Sequence, residues 1–173
     1  MTDQRIEPVK PDHLDDAEEE DRVRSVAYRM LSYRWLTVKE LTYRLRRRKG
    51  IRRKFIKPIV QECIEAGYID ERSLVEDHIH SGREFRLIGR RLIRYNLIRR
   101  GVPEVMIDPI LDEHYPEEDE EPIARKLVER KLRGMQDVPI IKRYRRIGGM
   151  LSRKGFASDV IRTILDEIDW EVE

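Results

Sequence analysis

Three stretches of the chain carry the same apolar columns. GIRRKFIKPIV, GVPEVMIDPIL and GFASDVIRTIL, beginning at Gly50, Gly101 and Gly155, align without a gap. Phe55, Met106 and Val160 share one column, and Ile56, Ile107 and Ile161 the next. Ile59, Ile110 and Ile164, then Val60, Leu111 and Leu165, complete the set. Positions i, i+1, i+4 and i+5 lie on one face of a helix. Each glycine follows a basic pair and precedes an apolar residue. That is the pattern of a helix ending on a positive-φ residue whose successor packs back on the last turn. Basic residues just before such a stop also suit the negative end of the helix dipole.

Further helices are predicted upstream of each glycine. Thr37-Val-Lys-Glu40 reads as a capping box, with Leu41 and Leu45 on one face behind it. Val23, Val26, Ala27, Met30 and Leu31 form another amphipathic stretch. The unit is therefore three short helices, and the chain is predicted to be all-α: a tandem array of three three-helix units at 22–69, 70–116 and 117–173. Stacked units of this kind make an elongated, curved repeat protein. Residues 1–21, rich in acids and poor in apolar residues, are expected to be a disordered tail. Pro58 and Pro109 sit in equivalent columns inside the predicted third helices, where an interior proline costs roughly 3 kcal/mol, so either those helices start later or both kink alike.

Charge adds a second periodicity. Charged residues are 40% of the 173 positions, against an average of about 25% for soluble domains, so apolar layers must be thin. The net charge of +2 hides strong blocks. Residues 22–57 hold 14 bases and 1 acid, 82–101 hold 7 and 1, and 122–154 hold 11 and 2. Between and after them, 58–81 hold 1 base and 6 acids, 102–121 hold 0 and 9, and 155–173 hold 1 and 6. Modules with a basic first part and an acidic second part produce this alternation.

Chemistry of other kinds finds little footing. One cysteine, Cys63, rules out an internal disulfide and a multi-thiolate metal site, and fits a reducing compartment. No apolar run approaches the roughly 18 residues of a membrane span, and the first residues lack the apolar stretch of a signal peptide, so a cytoplasmic protein is expected. Of the four histidines, His78 and His80 are two apart and point to different sides of a helix. Arg-Arg-Arg-Lys-Gly lacks the glycine-rich approach and Lys-Ser/Thr ending of a P-loop, and no Ser, His and Asp set suggests a triad.

The densest candidate surface is Arg44, Arg46, Arg47, Arg48, Lys49, Arg52, Arg53 and Lys54. Such a cluster can neutralise phosphates with counterion release, or meet an acidic protein groove. Arg90, Arg91, Arg94, Arg99 and Arg100, with Arg83 and Arg86 before them, form a second set. Arg143, Arg145, Arg146, Arg153 and Lys154 form a third. Tyr28, Tyr33, Trp35 and Tyr43 interleave with the first set. They could stack on bases, but at helical spacing they are expected to be core.

Several local patterns resemble the RecX family of recombinase regulators, over about residues 22–170. They are Thr37-x-x-Glu40-Leu41-x-x-x-Leu45 with Arg48-Lys49-Gly50, and the junction Gly67-Tyr68-Ile69-Asp70-Glu71-x-x-Leu74. Gly89-x-x-x-Ile93-Arg94-x-x-Leu97-x-x-Arg100-Gly101-Val102 and Leu151-x-Arg153-Lys154-Gly155-Phe156 are similar too. The resemblance implies a non-enzymatic protein without cofactor or metal. It would bind the RecA filament on single-stranded DNA and limit its extension and activity in recombination and the DNA damage response. A monomer is expected. An alternative is a direct DNA-binding protein in which one unit acts as a helix-turn-helix. Only the first unit could serve, since PEVMIDPIL carries two acids and no base. A generic scaffold whose charge blocks pair with one another ranks last, because exposed ion pairs contribute only about 0–1 kcal/mol each.

Overall fold

A computed structural model describes residues 15–168 and 170. Among them are nine α-helices and no strand. The chain divides into two compact units, one ending at Ile69 and the other beginning at Asp70. The first unit holds α1 (Asp16–Tyr33), α2 (Val38–Arg47) and α3 (Ile56–Glu65). The second holds α4 (Glu71–Ser81), α5 (Arg90–Arg100), α6 (Glu104–His114), α7 (Glu120–Leu132), α8 (Ile140–Arg153) and α9 (Ser158–Glu167). The second and third sequence repeats therefore share one compact unit.

Each repeat buries the columns read from the sequence. Leu41 and Leu45 on α2, Ile93 and Leu97 on α5, and Ile147 and Leu151 on α8 are all fully buried. They pack on the third-helix residues Ile59, Ile110 and Ile164 of their own repeats. The recurring glycines adopt positive φ: 77° at Gly50, 93° at Gly101 and 81° at Gly155. After Gly101 the Val102 amide donates to Leu97 O at 3.1 Å, and after Gly155 the Phe156 amide donates to Leu151 O at 3.2 Å. These are the back-bonds of a Schellman turn. The Thr37 capping box forms reciprocally, with Glu40 N donating to Thr37 Oγ1 at 3.0 Å and Thr37 N to Glu40 Oε2 at 3.1 Å.

One expectation is corrected. Residues 15–21 are not a disordered tail: Asp15 caps α1 in a box with Glu18, and Asp16 to Asp21 are helical. Acids at a helix start complement its dipole, so acidic composition there favours order. The rest of the expected tail, 1–14, lies outside the described residues. Of the two readings open for the prolines, a later helix start holds for Pro58. α3 begins at Ile56, which puts Pro58 in the first turn, where amides have no intrahelical acceptor. Pro109 is interior to α6 and cannot donate to the Val105 carbonyl, but Val105 is 86% exposed, so water can serve that oxygen.

The second and third repeats lock through backbone. Gly89 N donates to Lys154 O at 2.8 Å and Arg91 N to Gly155 O at 3.2 Å. A Cβ on Gly89 would lie 2.3 Å from Gly155 O, and one on Gly155 2.5 Å from Leu92 N. Glu120, buried on α7, completes the joint. Its Oε1 accepts from Arg90 N at 2.9 Å and its Oε2 from Ala157 N at 3.3 Å, serving the first turns of α5 and α9 together. Burial raises its carboxyl pKa.

Candidate functional site

The basic residues singled out from the sequence divide into two kinds. In the first unit, Arg52 pairs with Asp16 at 2.7 Å and Glu19 at 3.3 Å, and Lys54 pairs with Asp16. The Asp16 carboxyl is accordingly held below the usual range, chiefly by its hydrogen bond from Lys54. Arg44, Arg46, Arg48, Lys49 and Arg53 are exposed, and none enters an ion pair among the described residues. Arg47 donates to Tyr43 Oη at 2.6 Å and lies 5.5 Å over the same ring. The last turn of α2 and the loop after Gly50 thus carry cations that the fold does not neutralise.

The second unit spends many of its cations internally. Arg90 is largely covered; its guanidinium donates to Asp112 at 2.5 Å, Leu111 O at 3.3 Å and Tyr115 O. Arg94 pairs with Asp108 at 2.8 Å and with Glu104, which raises its pKa. Arg83 pairs with Asp119 at 2.9 Å and donates to His114 O, and Arg86 donates to His78 O at 3.2 Å. Lys154 donates to Arg86 O at 2.9 Å, and Arg143 to Val138 O at 2.6 Å. Arg91 reaches Ser158 Oγ only at 3.5 Å, Arg99 lies over the Tyr95 ring, and Arg100 ends α5 half-buried. Arg153 folds against Gly149, and Arg145 and Arg146 are exposed on α8.

The aromatic residues correct the core reading. Tyr33 is 82% exposed, Trp35 55% and Tyr43 56%. Core positions of α1 and α2 are filled by Val23, Ala27, Leu41 and Leu45, and Tyr33 and Trp35 fall where α1 has ended or is ending. Only Tyr28 turns inward, donating to Glu62 at 2.6 Å and packing 4.7 Å from the Tyr68 ring. Hydrogen bonding from Arg24 and Tyr28 holds the Glu62 carboxyl low. In the first unit Tyr43 thus lies against Arg47, which has no acidic partner among the described residues, and such an exposed ring can stack on bases or other planar groups.

Two buried carboxylates escaped the sequence reading. Glu19 and Glu120 are equivalent positions four residues before the buried Val23 and Ala124, and each accepts the amide two residues after the repeat's glycine: Arg52 for Glu19, Ala157 for Glu120. Pro103 fills that place in the second repeat and has no amide to offer. An acid one turn before an apolar column was the available signal.

Comparison with known proteins decides the family. The "Regulatory protein RecX" of Thermobifida fusca is 32% identical over 151 residues, covering 87% of this chain and 80% of that protein. The chain belongs to the RecX family. The RecX of Trichlorobacter lovleyi is 31% identical, with 80% of this chain and 93% of that protein covered. A RecX of Bacillus cytotoxicus is also 31% identical over 82% of this chain, but the chain spans only 52% of that relative's length. Residues 118–165 match the family described as RecX, third three-helix domain. Among solved structures, RecX from Lactobacillus salivarius shares the fold with a TM-score of 0.75 at 24% identity, covering 88% of this chain and 98% of that one. Among the described residues no helix is long and apolar enough to cross a membrane, and no group of three or more His, Cys, Asp or Glu could hold a metal.

Proposed function

We propose that this RecX-family chain is a cytoplasmic, non-catalytic regulator that binds a RecA-class recombinase filament on single-stranded DNA and limits its extension and activity. Family membership supports a regulatory role. The observation that carries the rest is the first unit's surface, where five cations lack an acidic partner among the described residues and where Tyr33, Trp35 and Tyr43 of the same unit are exposed. A fold with no use for those charges presents them to something acidic, and a filament offers both phosphates and carboxylates. The working residues on this reading are Arg44, Arg46, Arg47, Arg48, Lys49 and Arg53. Arg91, Arg99 and Arg153 are auxiliary, while Arg52, Lys54, Arg90, Arg94 and Lys154 serve the fold as well. Titration of the chain into a single-stranded-DNA-dependent ATPase assay of a RecA-class enzyme tests it. Loss of hydrolysis at well below one chain per protomer is the expected result, and unchanged hydrolysis at excess refutes the reading.

The exposed Tyr33, Trp35 and Tyr43 favour one second reading, direct nucleic-acid binding by the first unit. Steeply salt-dependent binding to naked duplex with sequence preference would select it.

A further inference from the structure

The second and third helices of each repeat pack against one another, and the three repeats fill the space between them differently. In the second repeat α5 sends Arg90 and Arg94 across to Glu104, Asp108 and Asp112, spaced one turn apart along α6. In the third, Gly148 lets α9 approach so closely that a Cβ there would lie 3.2 Å from Leu165 Cδ1. Trp170 then lies against Tyr144, with ring centroids 5.6 Å apart, and donates to Leu165 O. In the first repeat the positions of Arg90 and Arg94 are Val38 and Thr42, and those of Glu104, Asp108 and Asp112 are Arg53, Lys57 and Gln61. Among the described residues no ion pair spans the gap, and a cleft of about 450 Å³ remains between α2 and α3.

Its lining defines what would fit. Val38, Val60 and the exposed Ile64 give an aliphatic floor, and Arg46, Arg53 and Lys57 stand around it. None of the three cations is in an ion pair among the described residues. No aromatic ring lines the cleft, so it has no platform for a nucleobase. In the second repeat a row of carboxylates one turn apart, Glu104, Asp108 and Asp112, pairs with two arginines four residues apart, and Arg53 and Lys57 stand at that same four-residue spacing. We propose that the α2–α3 cleft of the first repeat docks a helical segment of the recombinase that carries an acidic stripe beside an apolar one. The partner's identity rests on the regulator reading; the chemistry of the segment rests on the cleft.

The test grafts the second repeat's bridge into the first. Thr42→Arg with Lys57→Asp rebuilds the Arg94–Asp108 pair at the equivalent positions and fills the cleft from within. Co-sedimentation with recombinase filaments on single-stranded DNA is expected to show at least a tenfold weaker affinity for this variant, with the thermal midpoint kept and affinity for free single-stranded DNA unchanged. Lys57→Glu alone, at an exposed position, is expected to weaken filament binding in the same direction and guards against misfolding of the double variant. Wild-type-like filament binding by both variants overturns the docking assignment while leaving the regulator reading intact. An equal loss of free-DNA affinity also overturns it, making the cleft a nucleic-acid contact. Failure of the wild-type chain to bind filaments at all refutes the regulator reading and the docked partner together.

Discussion

The first and second repeats bury the same columns and stop their helices on the same glycine, yet they use the arginines of their second helices in opposite ways. Arg90 and Arg94 turn inward to α6 carboxylates and carbonyls, so much of that repeat's charge is structural. Arg44, Arg46 and Arg53 find no acid within reach. The same residue type in the same repeat architecture can thus be mortar or surface, and acids on the facing helix decide which. The acidic sequence of α6 and the basic start of α3 are the source of the difference.

Substitutions can break that contrast, and the largest effects should fall in the second unit. Gly155→Ala places a Cβ 2.5 Å from Leu92 backbone at a φ of 81°, so roughly 3 kcal/mol or more should be lost, read as a large drop in the urea midpoint. Gly67→Ala, at φ 73° with nothing within 4 Å, should cost only about 1 kcal/mol. Equal losses would show that the second and third repeats are not locked by backbone contact.

Next in size is the buried carboxylate pair. Glu120→Ala strips acceptors from two amides and should destabilise by about 2–4 kcal/mol, whereas Glu19→Ala strips one amide and should cost roughly half as much. Chemical denaturation of both variants reads the ratio. Arg90→Gln should follow at about 2 kcal/mol, while Arg44→Gln and Lys49→Gln should leave the midpoint unchanged. A comparable loss from Arg44 or Lys49 would mean that the first unit uses its charge as the second does.

A further effect is set by pH. His78 on α4 is largely buried, its Nε2 has no hydrogen-bond partner, and burial with nearby Arg86 and Arg100 depresses its pKa to about 4. A depressed folded-state value means the unfolded chain binds the proton first. Stability should therefore be full above pH 6.5 and decline as pH falls towards 4. Denaturation midpoints at pH 7 and pH 5 should differ for the wild-type chain and converge for His78→Phe.

Helices, stops and core were legible because each follows from local pattern: glycine after a basic pair, Thr37 three residues before Glu40, apolar residues one turn apart. The division of labour among arginines was not, since it depends on which helix lies across from each one. Arg52 and Arg53 are neighbours in sequence, but Asp16 and Glu19 claim only the first. The exposed rings were misread for a related reason. Tyr33 and Trp35 continue a helical spacing up to and beyond the end of α1 at Tyr33, where the core no longer follows.

The central claim is that the unneutralised cations of the first unit are the working surface. It is tested most directly by reversing Arg44, Arg46 and Arg48 to glutamate together and measuring inhibition of single-stranded-DNA-dependent recombinase ATPase beside the wild-type chain. Inhibition should weaken by at least tenfold with the unfolding midpoint kept. Full inhibition by the triple variant would contradict the claim and move the working surface away from the first unit.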